Sequence, residues 1–223
     1  PAVEDAHSGA GTQTAALSFG GAPAITASNI WDGSSWSEVA EMNTARNQQQ
    51  NIGTVPSALA IGGGNPSAVT NVESWNGSAW TETATDLNTA KKYVVGTGIV
   101  TACIVMGTPA TTEQFNGSSW TEIAELNQER NDIFGGIGNV TTAIVAGGYS
   151  PAPVSPVTTV NVEFWNGSSW TEINNLSTGR ASPGSQGSAT SAMVQGGYTG
   201  PGAGTATTET FTVALANTTI TVS

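Results

Sequence analysis

Cysteine, histidine and basic side chains are all scarce in this chain of 223 residues: Cys103, His7 and five Lys or Arg residues are the full complement. A single cysteine permits no intrachain disulfide. Because Cys103 stands in the apolar run ACIVMG (102–107), it is expected to be a small core residue. One histidine and one cysteine are too few ligands for a copper or zinc centre, and no Asp-rich calcium loop occurs, so no metal and no cofactor is expected. His7 then reads as a loop residue near the N-terminus. Five cations against sixteen acids leave a net charge of −11, which repels a polyanion and argues against nucleic acid as a partner. No apolar run approaches the length of a membrane span, and no membrane insertion is expected. The chain starts at Pro1 with neither a methionine nor an apolar targeting stretch, as expected of an excised module.

What is abundant is small and uncharged. Only 9% of residues are charged, while Gly, Thr, Ser, Asn and Ala dominate, a composition that suits an extracellular or virion surface. The apolar content of 38% suffices to bury a core. Within this composition one phrase recurs: ASNIWDGSSWSEV (28–40), NVESWNGSAWTET (71–83), TTEQFNGSSWTEI (111–123) and NVEFWNGSSWTEI (161–173). Each reads as a hairpin with Asn-Gly or Asp-Gly at its tip supplying the positive φ of a tight turn. Trp36, Trp80, Trp120 and Trp170 are 44, 40 and 50 residues apart, a spacing typical of repeat architectures.

Upstream of each hairpin lies an apolar run ending in glycine: AALSFGG (15–21), ALAIGG (58–63), ACIVMG (102–107), AIVAGG (143–148) and AMVQGG (192–197). The fifth run is followed by a degenerate hairpin, TTETFTVALANTTITVS, with Glu209 and Phe211 in the places of Glu163 and Trp165 and ANT as its turn. A further glycine precedes each run at constant offset: Gly11, Gly53, Gly98, Gly138 and Gly187. These glycines are expected on innermost strands, where a missing Cβ permits close approach. No stretch sustains a helical period. Four short strands per unit, five units, and no unit large enough to bury its own faces predict an all-β, five-bladed β-propeller of four-stranded antiparallel blades. The blades fall at about 1–45, 46–90, 91–129, 130–179 and 180–223 of a single domain, with the seam between blades 1 and 5 the place where the ring opens most readily.

A basic residue after the fourth strand (Arg46, Lys91, Arg130, Arg180), an apolar strand ending in Gly-Gly, then an aromatic and a tryptophan flanking a short turn resemble the kelch repeat. The likeness to kelch and galactose-oxidase-type propellers spans nearly the whole chain. It departs from them in the short NGSSW turn and in the fifth hairpin, which lacks tryptophan. The resemblance implies a propeller. The copper radical site of some relatives needs His and Tyr ligands and a Cys joined to a Tyr, which this chain cannot assemble.

Repeated polar residues are expected to serve the repeat. Arg46, Arg130 and Arg180 could suggest a sialidase-like arginine cluster, yet they recur in register with Glu73, Glu113, Glu163 and Glu209, so structural Glu–Arg pairing is the expectation. Glu38, Glu82, Glu122 and Glu172 belong on the outermost strand, where charge discourages edge-to-edge association. Asn76, Asn116, Asn166, Asn139, Asn175 and Asn217 begin glycosylation sequons, though Asn-Gly is what the hairpin tips require in any case.

Function is expected where the repeats disagree. The segments between Gly-Gly and the hairpin differ widely: GGNPSAVTN, GTPATT, GYSPAPVSPVTTVN and GYTGPGAGTATT. In a propeller they emerge on the face that also carries the connections between blades. Tyr149, Tyr198, Asn47, Lys92, Asn131 and Arg180 are therefore the candidate ligand-binding residues. The leading reading is a non-catalytic recognition or structural module for a protein or glycan, as in kelch-like arrays of environmental and phage-type proteins. The alternatives are a glycan-acting hydrolase or lyase, which an asymmetric pocket with two carboxylates or a carboxylate and a tyrosine would favour, and a multivalent lectin with one weak site per blade.

Overall fold

The computed structural model describes residues 8–150, 157–200 and 203–213. His7, the loop tip at 151–156, the turn and last strand expected after Val213, and Asn217 lie outside these residues. All regular structure described is β, in five antiparallel blades, and no helix is long and apolar enough to cross a membrane. Blade 1 comprises Ser8–Thr12, Ala15–Phe19, Ser28–Trp31 and Trp36–Glu38; blade 2, Gln50–Thr54, Ser57–Ile61, Val72–Trp75 and Trp80–Glu82. Blade 3 comprises Lys92–Ile99, Ala102–Thr108, Thr112–Phe115 and Trp120–Ile123; blade 4, Phe134–Gly138, Ala143–Ala146, Val162–Trp165 and Trp170–Glu172. Blade 5 has three described strands, Gly184–Ser188, Ser191–Gln195 and Thr208–Thr212. Each sheet follows chain order, and the first strands surround the central axis.

The second strand of each blade explains why its sequence is a continuous apolar run. Alternate side chains point to opposite faces, and both faces of an inner blade are covered. In blade 3, Cys103 and Val105 join Leu59, Ile61 and Val72 of blade 2, while Ile104 and Met106 join Val145, Trp165 and Trp170 of blade 4. Trp165 is thus wedged between blades, as expected of the repeated aromatic. Equivalent clusters join blade 1 to 2 and blade 4 to 5.

No buried cluster among the described residues joins blade 5 to blade 1. The positions filled by Leu17 and Phe19 in blade 1, and by Leu59 and Ile61 in blade 2, are Met193 and Gln195 in blade 5, and Gln195 is exposed. Trp36 on the outer strand of blade 1 consequently stays 51% exposed, whereas Trp80, Trp120 and Trp170 are each 6% exposed.

At the hairpin tips the glycine supplies the expected positive φ, and the preceding residue works through its side chain. Trp165 pairs with Trp170 across a loop of four residues, and of the pair Asn166-Gly167 only Gly167 takes positive φ, 94°. Asn166 acts through its side chain: Oδ1 accepts the N–H groups of Ser168 and Ser169, both at 2.9 Å. The Trp165 Nε1–H donates to Val140 O at 2.9 Å, pinning this tip to the turn between the first two strands. The glycines of the first strand also have a different cause from crowding at the axis. Gly138 has φ 127°, and a Cβ there would lie 2.1 Å from Thr142 O, within its own hairpin. The constraint is local to the turn, and it recurs at Gly11, Gly53, Gly98 and Gly187.

A buried ionic latch ties each connection to the following blade. Glu73 Oε1 pairs with Arg46 at 3.0 Å, and both side chains are fully buried. The same carboxylate accepts from the Asn43 N–H at 2.7 Å, Asn43 Nδ2 at 2.9 Å and the Thr44 N–H at 3.1 Å. Lys91–Glu113, Arg130–Glu163 and Arg180–Glu209 repeat the pairing. The expected Glu–Arg pairing therefore holds, with Asn43, Asn88 and Asn127 as amide partners that the repeat comparison did not single out. Burial pulls the Arg46, Lys91 and Arg130 pKa values down, opposed by the paired glutamates. Glu82 and Glu172, exposed on outermost strands, add to that opposition at Arg46 and Arg130.

Candidate functional site at the channel mouth

From each latch the chain turns into the inner strand of its blade, and the next two residues build one end of the central channel. The residue after the basic one forms an antiparallel bridge to the loop beyond Gly-Gly: Asn47 to Gly64, Asn131 to Tyr149 and Ala181 to Tyr198. Asn131 and Tyr149 exchange backbone hydrogen bonds of 2.9 and 2.8 Å. The variable loops are thus tied to the channel end. In blade 4 the loop continues as a ribbon pairing Tyr149–Ser150 with Val157–Thr158, and in blade 5 Tyr198–Gly200 pairs with Ala203–Gly204. Thr158 Oγ1 donates to Thr199 O at 3.3 Å, joining the two ribbons.

The second residue after the basic one is the unusual position. Gln48, Tyr93, Asp132 and Ser182 have φ of 57°, 55°, 47° and 51°, and they are the only non-glycine residues with positive φ among those described. Left-handed backbone is disfavoured for L-residues, above all for a bulky side chain such as Tyr93, and such outliers cluster at functional sites. Neighbouring blades are joined here: the Val94 N–H donates to Gln48 O at 3.4 Å and the Ser182 N–H to Asp132 O at 3.0 Å. One repeated backbone conformation thus presents four different side chains around one opening.

These residues line a cavity of about 440 Å³ that also reaches Ser8, Gln49 and Gly136, so all five blades contribute. Gly136 sits at a tight crossing, where a Cβ would lie 2.4 Å from Gly96 O of the adjacent blade. Asp132 is the single acidic residue of the lining, which contains no Lys or Arg. Its carboxylate has no side-chain partner among the described residues, and burial raises its pKa above the usual Asp range. Gln49, 5% exposed, donates from Nε2 to Phe19 O at 3.1 Å, while its Oε1 is buried without a partner.

Of the candidates named from sequence, Asn47, Asn131, Tyr149 and Tyr198 do share this end of the molecule. Tyr198 is 50% exposed and the other three are partly exposed. Lys92 reaches back to blade 2, donating from Nζ to Pro66 O at 3.0 Å, and stands 5.8 Å from the Tyr93 ring centroid. Arg180 is different: it is fully buried and committed to Thr207 O at 2.9 Å and Glu209 Oε1 at 2.6 Å, so it is a latch residue and not a free ligand contact. Arg46 and Arg130 are likewise spent in their own latches and form no arginine cluster. Gln48, Gln49, Tyr93, Asp132 and Ser182 were missed. The usable signal was their fixed offset from the repeated basic residue combined with unlike side chains. A comparison with protein-family models finds no match for the chain, and a comparison with curated proteins finds none either.

Proposed function

We propose that the protein is a non-catalytic recognition module of kelch type that binds a glycan or protein through the face carrying the channel mouth and its ribbons, in an extracellular or virion-surface assembly. The observation that carries this reading is the set of four equivalent left-handed backbone positions bearing Gln48, Tyr93, Asp132 and Ser182. A position that served only the repeat would keep one kind of side chain, as the latch keeps a cation against a glutamate. The four unlike side chains also weigh against a lectin with one equivalent site per blade. Exposed aromatics such as Tyr198 supply contact area at low entropic cost, and the ribbons hold them on a rigid ring.

A glycan array probed with the purified protein tests the reading, with Tyr149→Ala and Tyr198→Ala as variants. Binding that these substitutions weaken while the melting temperature holds supports it; binding indifferent to both places recognition elsewhere. A second reading, a glycan-acting lyase or hydrolase, is favoured by one observation: Tyr93 and Asp132 of adjacent blades line the same cavity. Release of new reducing ends from a bound polysaccharide, lost in Tyr93→Phe, would select that reading.

A further inference from the structure

Charge inside the channel is one-sided, with a single carboxylate and no cationic side chain in the lining. The Asp132 carboxylate is acceptor-only when ionised, and Gln49 Oε1 is an acceptor held in place because the other end of the amide is fixed on Phe19 O. Both residues line one cavity, Gln49 Oε1 has no partner but is itself closed off within the wall, and no basic side chain enters the lining. What such a cavity lacks is a donor with positive charge. A divalent metal ion fits poorly, since it asks for several oxygen ligands and more than one carboxylate, and among the described residues no three His, Cys, Asp or Glu side chains converge. Tyr93, in the blade next to Asp132, lines the same cavity, with Lys92 Nζ standing over its ring at 5.8 Å from the centroid.

We propose that the channel is a binding site for a small organic cation, a protonated amine with neighbouring hydroxyl or N–H donors, seated with its ammonium against Asp132 and its other donors toward the uncharged polar lining of Gln48, Ser182 and Ser185. The proposal rests on the channel-mouth face being the recognition surface. The cavity of about 440 Å³ accommodates a ligand the size of a monosaccharide or small amine, and the protein's net charge of −11 concentrates cations around it.

Three sugars sharing one ring discriminate the outcomes in amide chemical-shift titrations of the intact protein: glucosamine, glucose, and N-acetylglucosamine, in which the amine is neutralised. Glucosamine is expected to shift Gln48, Tyr93 and Asp132, and glucose and N-acetylglucosamine are expected to leave them unmoved. Asp132→Asn, nearly isosteric and tolerant of positive φ, should weaken glucosamine at least about tenfold, the loss of a charge-assisted hydrogen bond. Asp132→Gly, which fits the backbone without a side chain, should do the same, so that a folding defect in one variant does not decide the matter. Equal glucosamine affinity in wild type and both variants overturns the proposal, as does an absence of channel shifts at tens of millimolar sugar. Shifts caused equally by N-acetylglucosamine remove the ammonium site but keep the recognition face. If no saccharide perturbs the channel or ribbons and glycan-array binding survives Tyr149→Ala and Tyr198→Ala, both readings fail together.

Discussion

Alanine substitution along the repeated outer-strand tryptophans is a test with its control built into the same molecule. Trp36, Trp80 and Trp170 have nearly the same local sequence and turn, yet Trp36 is 51% exposed and the others 6%. Removing a fully buried aromatic typically costs about 3–5 kcal/mol, because transfer and cavity terms add. At Trp36 roughly half the ring is already in water, and solvent enters the space left behind, so the cavity contribution vanishes. With about 25 cal/mol per Å² over the roughly 100 Å² that such a ring keeps covered, the loss is at most about 2.5 kcal/mol, and about 1–2 once residual burial in the unfolded chain is allowed for. Trp80→Ala carries a further penalty, since the Trp80 Nε1–H donates to Ser28 Oγ at 3.0 Å across the blade 1–2 seam. Urea unfolding followed by far-ultraviolet circular dichroism should place Trp36→Ala about 2 kcal/mol above Trp80→Ala and Trp170→Ala in stability. Iodide quenching should lose its most accessible component in the Trp36 variant alone. Equal destabilisation of all three, with unchanged quenching, would show that the outer face of blade 1 is covered in solution and that the open seam is not a property of the molecule.

Other consequences concern buried groups. Glu73→Gln, which strands Arg46 in a fully buried site, should cost about 3–5 kcal/mol in chemical denaturation. Glu209→Gln should cost clearly less, because Glu209 is 19% exposed and its attraction to Arg180 is already partly screened by water. Burial pushes the Cys103 thiol from 9.0 up to about 12. The unfolded chain then loses this proton first, so the Cys103 contribution to stability should fall as pH rises from about 9 toward 12, a slope that Cys103→Ala should abolish in pH-dependent melting. Native protein should resist thiol reagents at pH 8 and react once unfolded. Gly138→Ala should destabilise by about 2 kcal/mol or more through positive φ and the clash with Thr142 O, whereas Gly200→Ala, with open space around it, should stay within about 1 kcal/mol of wild type by thermal melting.

What the chain determined by itself is whatever a few neighbouring residues can specify. Asn166-Gly167 makes a hairpin tip wherever it occurs, and AIVAGG is apolar at every position because a strand covered on both faces has no solvent side. Five such units imply blades and a ring, and Glu163 with Arg130 could be matched from recurrence alone. The candidate site was only half legible. Tyr149 and Tyr198 could be placed at the loop face from the variable segments, but Arg180 looked identical as a latch or as a free cation, and only the packing around it shows that every donor is taken up inside the protein. Gln48, Tyr93, Asp132 and Ser182 carried no local mark, since nothing in the one-letter code shows that the chain must reverse into left-handed backbone to pass from latch to inner strand. The exposed face of Trp36 is likewise invisible in SSWSE, which reads almost the same as SSWTE of blade 4. Its burial depends on which residues the preceding blade presents. Turn and strand preferences act over neighbouring residues and can be read in place, while burial, unmatched acceptors and channel geometry are properties of segments about forty residues apart in the chain that meet only when the blades are stacked.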